Sequence, residues 1–251
     1  EIKIGENELG HRKLTMKKLK IATLHCFGSN PRKHASQQGH FVHCAEACAD
    51  LADWIYPAGP NLLEPGVVRS LLKNDMGCTD DEVEAFGFED PRCWFRFTDD
   101  RYVGLEESMI HLAEVCRRER PDGIAGYSNG GGAAQLVAAA REAGRVDFQS
   151  IRFLMSFAGA TSPMMQRHIR EYLGPGHGKI TIPTIIFGSR HDLMLANAEQ
   201  MAADLFEHCE LAISDETRPY ANHALPDRIE CYEPVVSFLK TRARALRVAT
   251  T

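Results

Sequence analysis

The sequence predicts an α/β fold in which about six mainly parallel strands form one sheet with helices packed on both faces. Short apolar runs alternate with longer segments whose apolar residues recur every three or four positions, the strand–helix alternation of a parallel sheet. The strand-like runs are apolar at nearly every position rather than at every second one, as strands buried on both faces must be. No internal repeat, low-complexity stretch or Pro/Gly-rich linker divides the 251 residues, so residues 16–251 are expected to form a single domain.

Taken in chain order, residues 1–15 are charged and aperiodic and read as a peripheral amino-terminal extension, with Met16 as the natural start. The run KIATLH (20–25) predicts the first strand, the periodic segment 33–50 a helix, and ADWIYP (52–57) the second strand. From Pro60 to Arg101 the alternation breaks into a turn-rich, acidic stretch carrying Phe86, Phe88, Trp94, Phe95 and Phe97. Long irregular insertions in compact domains are usually lids or binding loops; the alternative is an edge excursion whose aromatics cap the core. The alternation then resumes, with strands at 122–127, 151–157, 182–187 and 209–214 and helices at 103–119, 129–143, 163–173, 194–207 and 227–246. The arginines after Thr241 read as the solvated end of that last helix.

Charge and cysteine usage narrow the partners. With 29 basic against 34 acidic residues and a net charge of −5, the chain lacks the basic footprint of a nucleic-acid binder. No apolar run approaches the roughly 20 residues that span a bilayer. Eight cysteines without a CxxC pair or a dense framework fit reduced thiols in a cytoplasmic protein.

The chemical signal is Gly126-Tyr127-Ser128-Asn129-Gly130, a G-x-S-x-G string between an apolar strand and a helix. A serine thrown up on so sharp a turn needs tiny neighbours two positions away on either side, because strand and helix nearly touch there. The following helix terminus offers free N–H groups and a positive dipole end to a developing oxyanion. Serine needs a base to take its proton and the base needs an acid to orient it, which follow the serine in the order Asp/Glu, then His. Asp192 lies just past the strand ending IIFGS, and His223 lies in the loop after the next strand. Asp215 is the rival acid. Among the other histidines, His191 sits beside Asp192, His208 falls in a helix, and His168 and His177 precede the acid. The second oxyanion donor is expected in the loop after the first strand, His25 to Asn30.

These residues together resemble the FSH serine hydrolase family of α/β-hydrolases, which also takes in fungal polyketide-releasing thioesterases. LHCFGSN resembles the family's LHGxxxN opening, and ERPDGIAGYSNGGGAAQLVA its P-x-D-G-x-x-G-F-S-Q-G-A segment; YVGLEESMIHLAE and the Trp94-Phe95 pair also fit, over about Leu19 to Leu239. The resemblance implies an α/β-hydrolase fold, a Ser128–Asp192–His223 triad, and an oxyanion hole made by the backbone N–H groups of Phe27 and Asn129. It departs at Cys26, where glycine is usual, and at Asn129, where glutamine is usual.

The expected reaction is hydrolysis of a carboxylic ester or thioester of a small to medium acyl chain, with a small-molecule substrate and no organic cofactor. The alternative is a ligand-binding or scaffold protein that retains the fold without catalysis. Trp94 and Phe95 are candidate walls for the acyl chain, and Cys26 either lines the floor of the site or packs. Asp80, Asp81, Glu82 and Glu84 are expected to disfavour an anionic leaving group. His40, Cys44 and Cys48 recur at helical spacing, but three ligands on one helix cannot close a tetrahedron around zinc, and no metal is expected.

Overall fold

The apolar runs form one sheet in the computed structural model, which describes residues 17–36, 41–98, 101–159, 162–190, 192–215, 223 and 225–248. The expected extension 1–15, with Met16, and His40 and His191 lie outside these residues. Strand β1 (Leu19–Leu24) leads to two short helices, α1 (Pro31–Ala35) and α2 (Val42–Ala47), and then to β2 (Ala52–Ile55). The insertion carries β3 (Asn61–Leu62), α3 (Pro65–Ser70), α4 (Asp80–Phe86), β4 (Arg92–Cys93) and β5 (Arg96–Phe97), with β6 (Tyr102–Val103) just beyond its end. Then come α5 (Leu105–Glu119), β7 (Gly123–Tyr127), α6 (Asn129–Glu142), β8 (Phe153–Phe157), α7 (Pro163–Leu173), β9 (Thr184–Ser189), α8 (Ala198–Leu205), β10 (Cys209–Ser214) and α9 (Glu233–Val248).

The six long strands lie in the order β2-β1-β7-β8-β9-β10, every neighbouring pair parallel. Successive residues serve opposite faces, which is why the runs are apolar throughout. Ile124, Leu154 and Ile186 join the core layer with α5, α6 and α7. Ala125, Tyr127, Phe153, Met155, Phe157, Ile185 and Phe187 join the layer under α2 and α9. The chain steps outward from β1 to β2 and then crosses back to β7 on the other side of β1. Loops leaving the carboxyl ends of β1 and β7 therefore diverge at a switch point, where open α/β sheets form their ligand crevice.

Two departures from the sequence reading have clear causes. The helix expected over 33–50 is two pieces: Ser36 ends α1 in extended conformation (φ −74°, ψ 158°), its hydroxyl donating back to the Lys33 carbonyl at 2.9 Å. The insertion, expected to lack a clear strand, contains β3 paired antiparallel with β4, and β5 paired antiparallel with β6 just beyond its end. Each strand is two residues long, too short to show a period. The insertion also has a small core of its own, formed by Leu63, Val68, Leu72, Val83 and Cys93 with Phe27 packed against it.

Candidate active site

Ser128 alone makes the turn between β7 and α6, with φ 57° and ψ −116°. A non-glycine residue held there costs about 1–3 kcal/mol, which the surrounding contacts must offset. Its N–H donates to the Phe157 carbonyl at 2.9 Å and its carbonyl accepts from Gly132 N–H at 3.1 Å. The flanking glycines are steric requirements. A Cβ at Gly126 would lie 2.1 Å from the Gly130 oxygen, and one at Gly130 2.2 Å from the Leu24 oxygen.

His223 Nδ1 donates to both oxygens of Asp192, at 2.8 and 2.9 Å. The Asp192 carboxylate is fully buried and also accepts from Met194 N–H at 2.9 Å. This arrangement fixes the imidazole tautomer and turns Nε2 away from the acid. Nε2 is buried and, among the described residues, has no hydrogen-bond partner. Tyr127, the neighbour of Ser128, supports the same histidine: the two rings stack at 5.3 Å and 20°, and the tyrosine hydroxyl donates to the His223 carbonyl at 3.0 Å. Asp215, the rival acid, is exposed and bound to Arg190 at 2.6 Å. His168 faces Glu171 at 2.8 Å, and His208 is exposed beside Glu207. Neither meets a buried acid.

The loop after β1 carries Phe27, whose N–H, like that of Asn129, has no backbone acceptor among the described residues. Gly28 adopts φ 74°, and the loop is tied to the insertion by Gly28 N–H to the Arg92 carbonyl (2.8 Å) and Arg92 N–H to the Ser29 carbonyl (2.9 Å). His25 is buried and holds the base of the loop. Its Nδ1 donates to the Cys26 carbonyl at 2.8 Å, and its Nε2 accepts from Gly59 N–H at 2.9 Å. Both roles require a neutral ring, and burial, against the raising effect of the Cys26 carbonyl, lowers its pKa to about 4.

The remaining candidates are placed as follows. Cys26 is buried in the same apolar cluster as Phe157, Ala158 and Leu225, and burial pushes its thiol up to about 11. Trp94 is 0% exposed: its indole N–H donates to the His25 carbonyl at 3.0 Å and its backbone N–H to Asn129 Oδ1 at 2.8 Å. Phe95 is buried against Tyr102, ring centroids 4.5 Å apart, and its carbonyl accepts from Asn129 Nδ2 at 3.0 Å. Cys44 and Cys48 are fully buried in the apolar layer under α9, and among the described residues no three His, Cys, Asp or Glu side chains gather as a metal site.

The acidic stretch also has a local structural role. Thr79 and Glu82 form a reciprocal capping box at the start of α4, with Asp80 and Asp81 in its first turn where the helix dipole favours negative charge. Asp80 further pairs with Lys73 at 2.6 Å, and Glu84 pairs with Arg69. Sequence reasoning missed three supporting groups: His25, the Tyr127 ring and the Asn129 carboxamide. The first two adjoin the carboxyl ends of β1 and β7, a positional signal available from the sequence. The third has none, because its partners lie in an irregular segment.

Comparison with known proteins adds the family. The serine hydrolase (FSH1) family model matches residues 14–233. A Caenorhabditis elegans esterase, Esterase C25G4.2, is 24% identical over 146 residues; the match spans 55% of this chain and 60% of that protein. Among solved structures, Arabidopsis thaliana SOBER1 superposes with a TM-score of 0.50 at 14% identity, covering 90% of this chain and 99% of that one. NosK from Streptomyces actuosus superposes with a TM-score of 0.51 at 14% identity, covering 91% and 100%. At such identities the likeness is one of fold alone, a parallel sheet flanked by helices. With a strained serine at the end of β7 and a family model spanning most of its length, the chain belongs to the FSH1 serine hydrolase family.

Proposed function

We propose that the protein hydrolyses a carboxylic ester or thioester of a small to medium acyl chain through an acyl-enzyme on Ser128. The observation that carries this reading is the buried Asp192–His223 pair, which leaves Nε2 unpartnered while the ring stacks on Tyr127, the residue before the elbow serine. Ser128 Oγ attacks the acyl carbon as Nε2 takes its proton, and Asp192 stabilises the resulting imidazolium. The Phe27 N–H in the loop after β1 and the Asn129 N–H at the start of α6 bind the oxygen that becomes negative. The imidazolium then protonates the leaving alcohol or thiol, and a water activated by Nε2 releases the acid. The serine–histidine hydrogen bond forms on substrate binding, a common feature of such sites.

Asp81 and Glu82 carry their negative charge at the start of α4, which favours neutral esters over leaving groups that carry negative charge. The eight cysteines are all free, which supports a reducing, cytoplasmic setting. Assay of p-nitrophenyl esters and acyl thioesters of graded chain length tests the reading. Wild type should turn over part of the series, with an initial burst of leaving group, and a folded Ser128→Ala variant should not. Equal turnover by that variant, or a folded wild type inert across the series that still binds the acyl compounds, would replace it with another nucleophile or a binding protein.

A further inference from the structure

The proposed oxyanion hole draws its two donors from the loop after β1 and from the first residue of α6, which are not neighbours in the chain. The last register pair between β1 and β7 is Leu24 with Gly126, and beyond it Phe27 and Asn129 lie on separately diverging segments. Two donors serve one oxygen only if their spacing is held to about 0.5 Å. The sheet no longer imposes that spacing at this point.

Gly130 meets the Leu24 and His25 carbonyls at the root of these segments, and beyond that contact Trp94 hydrogen-bonds to both sides. The Trp94 indole N–H holds the His25 carbonyl, at the root of the Phe27 loop, at 3.0 Å. The Trp94 backbone N–H holds Asn129 Oδ1 at 2.8 Å, and the same carboxamide returns a bond to the Phe95 carbonyl at 3.0 Å. Two residues earlier, Arg92 makes two backbone bonds to Gly28 and Ser29 of the same loop. Trp94 cannot swing out of this position. Its carbonyl accepts from Asn61 Nδ2 at 3.1 Å and from the Ser108 hydroxyl, and its ring is fully enclosed. Full enclosure also removes it as a wall for the acyl chain in this conformation.

We infer that Trp94 is a positioning residue, a rigid spacer that sets the separation and aim of the Phe27 and Asn129 N–H donors. The inference rests on Ser128 as the nucleophile. A ring that merely filled space would matter to stability alone, whereas a spacer matters to the transition state, because only there does the oxygen carry the charge that both donors must meet.

Trp94→Phe keeps an aromatic ring in place while deleting the bond to the His25 carbonyl and part of the enclosed ring volume. Asn129→Ala deletes the two carboxamide bonds while retaining the backbone donor and leaving the core untouched. Each should lower kcat by about tenfold, less than the roughly 10²–10³ that follows complete loss of a donor, with KM within about twofold of wild type. Affinity for a trifluoromethyl ketone, whose serine adduct places an oxyanion in the hole, should fall in the same proportion as kcat/KM. Unchanged kcat in both folded variants, or lost kcat with unchanged ketone affinity, would overturn the spacer. Retained turnover in Ser128→Ala would instead overturn the nucleophile assignment, so the two failures are distinguishable.

Discussion

The elbow from Gly126 to Gly132 and the insertion from Pro60 to Arg101 meet where Asn129 bonds Trp94 and Phe95, yet they are held by different forces. At the elbow, backbone meets backbone: the position of Gly130 is set by the Leu24 carbonyl, and no side chain could be added. In the insertion, side chains meet backbone. Asn61, Trp94 and Asn129 supply hydrogen bonds that two-residue strands are too short to provide for themselves. At Gly126 and Gly130 the first kind of structure leaves no room for a side chain. The second can be loosened bond by bond, which suits a segment that varies the site without dismantling the nucleophile.

Breaking the elbow side should have the larger effects. Asp192→Asn leaves the fold in place but lets the imidazole take the wrong tautomer, and kcat should fall by about 10⁴-fold, while Asp215→Asn should leave it nearly unchanged. Steady-state kinetics on the two variants checks this. Gly130→Ala drives a Cβ to 2.2 Å from a carbonyl oxygen that cannot retreat, so denaturant unfolding should show a loss of more than about 3 kcal/mol.

The loop below the oxyanion site carries an acid liability. His25 is neutral in the fold, with its pKa lowered from 6.5 to about 4, so the unfolded chain binds the proton first as pH falls. Stability should therefore drop as pH falls from about 6.5 to about 4, by up to ~3 kcal/mol, and this contribution should level off below that window. Urea unfolding across the range should show a shallower decline in His25→Gln than in wild type; identical slopes would show that the ring is protonated without cost.

On the insertion side the effects shrink. Thr79→Ala removes the α4 cap and should cost about 1 kcal/mol. Gly66→Ala, in α3 with nothing within 4 Å of a new Cβ, should instead stabilise by about 0.5–1 kcal/mol. If thermal unfolding ranked Gly66→Ala with Gly130→Ala, the contrast between the two regions would fail.

The same contrast explains what could be read from the sequence. The six strands and their order of appearance were legible because a buried parallel strand must be apolar almost throughout, as in IRFLMSF. Gly126, Ser128 and Gly130 were legible because backbone crowding permits few residue types. Asp192 and His223 followed from chain order, and the structure places their side chains in contact. The insertion was not legible: its polar bonds depend on a three-dimensional neighbour, as when Asn129 reaches Trp94 and Phe95. The capping box at Thr79 and Glu82 was present in the sequence as T-x-x-E, but the acidic residues around it were read for their net charge rather than for their helix position. Cys26 and Trp94 look available in a list of residues near the serine. Burial at 7% and 0% turns both into supports.

The central claim is that Ser128 is the nucleophile, activated by His223 and served by the Phe27 and Asn129 N–H donors. A fluorophosphonate probe reports it directly, because only an activated serine beside an oxyanion pocket attacks phosphorus at a useful rate. Intact-mass analysis should show one adduct on the wild-type chain, peptide mapping should place it on Ser128, and folded Ser128→Ala should carry none. An adduct that persists in that variant, or that maps to a different serine, would contradict the account.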